Sequence, residues 1–280
     1  MILSDKPDTI LNYPGYLTEK LSGIYSKLLN RDVEVELFLP AGVSASRKKY
    51  PLLLLNDGQD NAAVQIKETT ERLIRQGIIP EIIVAGVKAG DRMQEYGVAS
   101  TPDYLKRGQK AMPYTKYIVT ELIPYLVYKY PIDPLASQHV IAGYSMGGLS
   151  ALDIIWNHPE VFTKVGVFSG SLWWRKRDSK SLFYSDNRDR IMHQAIRNGK
   201  LKPDLKFWFQ TGTEDERSDR NKNGVIDSID DTLDLIAELT KKGYNRFHDI
   251  HYLEITHGKH NTETWAEAMP HFLKWAFGTQ

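Results

Sequence analysis

The chain has 280 residues, of which 41% are hydrophobic and 25% charged, as in soluble globular domains large enough to bury a full core. Thirty-six basic residues against thirty-five acidic ones leave a net charge of +1, which argues against binding nucleic acid or a membrane surface by bulk electrostatics. With no cysteine, disulfides, thiolate metal sites and a cysteine nucleophile are excluded.

The N-terminal residues contain no stretch resembling a signal peptide, and no run of about eighteen apolar residues is present to span a bilayer. The expected location is cytoplasmic; a periplasmic or secreted location stays open if a leader was removed from a precursor. Residues 1–22 are turn-rich and read as an N-terminal arm, and residues 23–280 as one domain without repeats or linkers.

Residues 33–39 (VEVELFL) alternate apolar and charged side chains, as a half-exposed strand does. The run 51–55 is solidly apolar and closes on Asn56-Asp57-Gly58; residues 82–87 and 139–144 are similar. Strands covered on both faces of a parallel sheet have this character. Helical periodicity fills 61–76, 112–130 (with Pro124 expected to kink it) and 146–157. Strands are expected at 164–168, 205–210 and 248–255, and helices at 189–198, 231–242 and 262–277. Strands alternating with helices predict an α/β fold with a mostly parallel, doubly wound sheet and an antiparallel start.

Gly143-Tyr144-Ser145-Met146-Gly147 fits G-x-S-x-G, a weak pattern alone. Its setting, between a buried strand and a helix, is where a nucleophilic serine on a strained turn belongs. The helix start offers free N–H groups to a developing oxyanion. The base is sought among eight histidines. His260 follows the last strand and precedes the final helix, the chain position expected for the base, with His257 as rival. His139 and His158 read as structural. The acid is expected after the strand at 205–210, where Asp215 is preferred and Glu214 is second.

Residues 219–230 repeat the spacing of an EF-hand loop, with oxygen-bearing side chains at Asp219, Asn221, Asn223, Asp227 and Asp230. Gly224 stands at the sixth position, and Val225 would contribute its carbonyl. Asp230 replaces the usual bidentate glutamate, and the incoming helix is missing. A structural Ca²⁺ pinning the loop that carries Asp215 is the expectation; the alternative is an Asn-Gly turn in a polar insertion.

Several segments resemble one known family when taken in order: residues 31–40, 54–59, Arg92-Met-Gln-Glu95-Tyr96, 143–148, Ser169-Gly-Ser-Leu-Trp173-Trp174, 212–215, and Gly258-Lys-His260 followed by Trp265. Over roughly 23–277 the chain resembles the putative-esterase (esterase D-like) branch of the α/β-hydrolases. That branch includes enterochelin esterases and the feruloyl and acetyl-xylan esterases of carbohydrate esterase family 1. The resemblance implies a serine carboxylic-ester hydrolase without an organic cofactor, with a triad of Ser145, Asp215 and His260. It implies an oxyanion hole from the Met146 N–H and the backbone around Gln59, and a small-molecule or carbohydrate ester as substrate.

Trp173 and Trp174, just past a strand end, are expected either to stack on a substrate ring or to form a buried aromatic pair. Arg92 is expected either to pair with Glu95 or to meet an anionic substrate. The charged segment 175–202 is the natural place for a cap. Two alternatives stay open: an acyltransferase on the same scaffold, and a non-catalytic, calcium-stabilised binding module.

Overall fold

The computed structural model describes residues 14–43 and 48–278. Eight strands make one sheet: β1 (Tyr16–Ser26), β2 (Arg31–Pro40), β3 (Leu52–Asn56), β4 (Ile83–Val87), β5 (His139–Tyr144), β6 (Lys164–Phe168), β7 (Lys206–Glu214) and β8 (Ile250–Lys259). Their order is β1-β2-β4-β3-β5-β6-β7-β8. β1, β2 and β4 pair antiparallel, and every pairing from β4 through β3 to β8 is parallel. The antiparallel start and parallel body follow the expectation. Residues 16–22, read from the sequence as part of an arm, instead belong to β1, paired along β2; residues 1–13 lie outside the described residues.

The helices are α1 (Ile66–Arg75), α2 (Arg92–Glu95), α3 (Ala111–Lys116), α4 (Ile123–Lys129), α5 (Met146–Asn157), α6 (Asp186–Asp189), α7 (Ile191–Asn198), α8 (Asp227–Lys242) and α9 (Thr262–Phe277). None of the described helices is long and apolar enough to cross a membrane. The expected helix at 112–130 resolves into α3, a π-helical stretch Tyr117–Leu122, and α4 with Pro124 in its first turn. Proline lacks the N–H an uninterrupted helix would need, and the wider turn before it absorbs the mismatch.

The all-apolar central strands are explained by the two cores. Leu52, Leu54, Ile141, Val165, Val167, Phe207 and Phe209 face one core with residues of α4, α5, α7 and α8. Leu53, Leu55, Val140, Ala142, Phe168 and Trp208 face the other with residues of α1 and α9. Each run is buried on both sides, so no polar alternation survives.

The chain steps from β3 outward to β4, then crosses back so that β5 lies on the other side of β3. The connections leaving β3 and β5 therefore run toward opposite edges of the sheet, which makes their carboxyl ends its switch point. Such switch points are where open α/β sheets bind ligands. Here the two loops carry Asp57 to Gln59 and Ser145.

Candidate active site

Ser145 occupies the junction of β5 and α5 with φ 54° and ψ −117°, a positive φ that costs a serine free energy and persists only when its surroundings impose it. They do so through main-chain bonds. The Ser145 N–H donates to the Phe168 carbonyl at 2.8 Å, and its carbonyl accepts from Ser171 N–H at 3.0 Å and Leu149 N–H at 3.1 Å. The two motif glycines permit the approach. A Cβ on Gly143 would lie 2.5 Å from the Gly147 carbonyl group, and one on Gly147 would run into the Asp57 carboxylate.

Below the turn lies a polar platform. Asn56 donates to the Gly147 carbonyl at 2.8 Å and accepts from Tyr114 Oη at 2.7 Å. Asp57, fully buried, takes Arg92 Nε at 2.7 Å and Nη2 at 3.2 Å, and Nη2 also reaches the Tyr144 carbonyl at 3.1 Å. Arg92 thus clamps Asp57 to the strand leading into Ser145. Glu95, the partner considered from the sequence, is held by Arg31 at 2.6 Å instead. The clamp leaves Arg92 about a third exposed and close enough to His260 for its charge to be felt there.

Asp215 follows β7 directly and is 9% exposed. Neither carboxylate oxygen makes a hydrogen bond among the described residues. Burial raises its pKa, and the charge of His260 opposes that rise. His260 ends the segment after β8 at the surface, yet the protein around its ring withdraws enough water to lower its pKa. Asp215 opposes that lowering and Arg92 adds to it. Asp215 and His260 are therefore electrostatic partners, and burial favours the neutral form of the imidazole.

Trp265, in the first turn of α9, joins these parts. Its ring stacks on Tyr144 at 5.0 Å, meets His260 edge-on at 5.4 Å, and donates Nε1–H to Ser169 Oγ at 3.1 Å. Among the described residues no hydrogen bond joins His260 to Ser145; Ser145 Oγ meets Ser171 Oγ at 3.2 Å. Catalytic hydrogen bonds often tighten only when substrate arrives. His257 is engaged elsewhere, its Nδ1 2.8 Å from Glu214 on the exposed ends of β8 and β7. His139 bonds two backbone carbonyls with its ring, a structural role.

The Met146 N–H opens α5, where an amide has no acceptor within the helix. Gln59 lies in the 3₁₀ turn Gly58–Asp60, its side chain donating to Asp57 at 2.9 Å. Trp174 is fully buried, donates to the Thr101 carbonyl at 3.2 Å and fills the space over Gly97 and Gly108, so it has no surface to offer a substrate. Of the tryptophan pair only Trp173 remains half-buried, under the Arg107 guanidinium at 4.6 Å.

The loop 219–230 is held by hydrogen bonds among its own side chains and backbone. Asp219 accepts from the N–H groups of Asn223 and Gly224, and Asp230 Oδ2 accepts from the amides of Asn221 and Asn223, both at 2.8 Å. Asp227 is withdrawn from this ring: it opens α8 and accepts from Arg220 N–H at 2.9 Å, with the Arg220 guanidinium at 3.0 Å. Among the described residues no group of three or more His, Cys, Asp or Glu side chains gathers as a metal site.

A mostly parallel sheet with a strained serine turn at its switch point defines the α/β-hydrolase class. Residues 26–276 match the family described as Putative esterase, and the chain belongs to that family; it is a carboxylic ester hydrolase. A solved ferulic acid esterase shares the fold with a TM-score of 0.69 at 19% identity, covering 94% of this chain and 98% of that one. An enterobactin esterase from Shigella flexneri does so at 0.72 and 20% identity, covering 93% of this chain and 58% of its own. A diacylglycerol acyltransferase/mycolyltransferase, Ag85A of Mycobacterium leprae, is 29% identical over 175 residues, 61% of this chain and 49% of that protein.

Sequence reasoning missed Ser171, Asp57 and the bridging role of Trp265. All three lie in or beside segments that carry the family resemblance, which marks those segments without assigning these side chains a role.

Proposed function

We propose that the protein hydrolyses esters through an acyl-enzyme on Ser145, with His260 as base and Asp215 as the acid that steadies it. The supporting observation is the strained Ser145 turn, set above the clamped Asp57 and joined through Trp265 to the Asp215–His260 pair. Ser145 Oγ attacks the ester carbonyl as its proton passes to His260. The Met146 and Gln59 N–H groups receive the oxyanion; each such donor contributes about 2.7–4 kcal/mol. The alcohol departs with the proton from His260, and water activated by the same imidazole releases the acid.

The substrate is an acylated carbohydrate or a siderophore-type or other small ester, as the ferulic acid and enterobactin esterases of the same fold favour. Trp173, half-exposed past β6, is the aromatic surface such a substrate would meet. The test is labelling by a fluorophosphonate, lost in Ser145→Ala, followed by hydrolysis of aryl acetate, methyl ferulate, acetylated xylan and a catecholate trilactone. Labelling that persists in Ser145→Ala overturns the assignment.

The likeness to Ag85A favours a second reading, acyl transfer to an alcohol other than water. Acylated glycerol or sugar formed faster than free acid, in assays with those acceptors added, would establish it.

Calcium in the loop 219–230 would be held by Asp219, Asn221, Asn223, the Val225 carbonyl and Asp230, with Asp227 kept by Arg220. A rise in melting temperature when Ca²⁺ is added to chelator-stripped protein is expected. No shift at millimolar calcium removes the ion from the account.

A further inference from the structure

The turn after β6 brings a second hydroxyl to the nucleophile. Ser171 Oγ stands 3.2 Å from Ser145 Oγ, and Ser171 N–H donates to the Ser145 carbonyl at 3.0 Å. Ser171 is 2% exposed, and among the described residues its hydroxyl has no other hydrogen-bond partner. Its position is set by the main chain. Ser145 N–H is bonded to the Phe168 carbonyl at 2.8 Å on one side, and Trp174 N–H to the Ser171 carbonyl at 3.2 Å on the other.

We propose that Ser171 is a positioning residue for the nucleophile: its hydroxyl holds Ser145 Oγ in one rotamer and donates to that oxygen as it attacks. The proposal rests on Ser145 being the nucleophile. A hydroxyl carries one proton and two acceptor sites. When the Ser145 proton turns toward His260, its oxygen is left to accept, and among the described residues Ser171 has no other hydrogen-bond acceptor for its own proton. As the Ser145 proton passes to His260, negative charge grows on Oγ, and a hydrogen bond to a charged oxygen is stronger than one to a neutral oxygen. The contact therefore gains strength toward the transition state, the kind of interaction that raises kcat. No proton leaves Ser171; the only one transferred is that of Ser145.

The experiment compares wild type, Ser171→Ala, and the near-isosteric pair Ser171→Thr and Ser171→Val, measuring aryl acetate kinetics and the rate of fluorophosphonate labelling. Ser171→Ala is expected to lower kcat and the labelling rate about tenfold with KM little changed, the difference between a charge-assisted and a neutral hydrogen bond. Thr and Val strain the pocket alike, so the Thr variant should outrun Val several-fold. The acid limb of the pH profile should stay where it is, because His260 is untouched. Equal rates for wild type and Ala, equally slow Thr and Val, or a displaced acid limb would each overturn the proposal. If the wild type is labelled while Ser171 variants are unaffected, only this proposal falls. If the wild type is not labelled, the nucleophile assignment falls, and this proposal with it.

Discussion

Asp153 shows what one buried carboxylate does to stability. It faces inward from α5, fully buried, accepting from Ala99 N–H at 2.9 Å and Asn157 Nδ2 at 3.0 Å, and desolvation raises its pKa to about 6. A carboxyl group whose pKa is higher folded than unfolded stabilises the fold below its unfolded pKa, and that contribution is lost as pH rises through about 6. The change amounts to about 2 kcal/mol over the window from pH 4 to 7. Asp153→Asn, which does not titrate, should gain stability relative to wild type across that window. Urea midpoints at pH 4.5 and 7 measure it, and a constant difference between the two proteins would refute the argument.

At the same scale, His260 predicts the pH profile. Burial and Arg92 lower its pKa, so the acid limb of kcat/KM should have its midpoint below the ordinary histidine value of about 6.5. Asp215→Asn should cut kcat by about 10⁴-fold with the fold intact, the scale seen when a triad loses its acid. An Asp215→Asn enzyme near wild-type activity would move the acid elsewhere, with Glu214 next in line although His257 already occupies it.

Elements meet here through shape as much as charge. Trp174 fills the space over Gly97 and Gly108 and so holds residues 97–108 against the body beside the site. Replacing it with alanine should cost about 3–5 kcal/mol, read as a fall in the denaturant midpoint. The α5 helix braces the same loop, since Ser150 Oγ accepts from Gly97 N–H at 2.9 Å. The helix that begins after Ser145 therefore also fixes the start of the segment 97–108.

Across the whole molecule, a buried ionic seam ties the segment 186–198 to α8 and the loop 219–230. Arg190 and Arg220 both bond Asp231, at 2.7 and 2.6 Å, and Arg220 reaches Asp186 at 3.0 Å. Asp231→Ala removes the carboxylate the two buried arginines share while leaving Asp234 on Arg190 and Asp186 and Asp227 on Arg220, and is expected to cost about 1–3 kcal/mol. A loss under about 1 kcal/mol, within the range of an exposed ion pair, would show the seam to be well solvated. The segment read as a cap is thus fastened at one end, with Leu182 and Phe183 exposed at its tip.

How much of this was legible depends on how far apart the interacting residues lie in the chain. Strands buried on both faces declare themselves by unbroken apolar runs, and the serine turn by glycines that no side chain can replace. The start of α8 at Asp227, four residues before the expected start, was hidden because its first turn reads as loop ligands until Arg220 folds back onto it. Tertiary contact alone decided that Arg92 grips Asp57 rather than Glu95, that Trp174 is a strut, and that Ser171 shares a hydrogen bond with Ser145. Local order follows from periodicity and steric limits over a few neighbours. Partners 26 to 96 residues apart, such as Ser145 with Ser171 or Trp265 with Ser169, are chosen by how strands align in the sheet, which no short window of sequence contains.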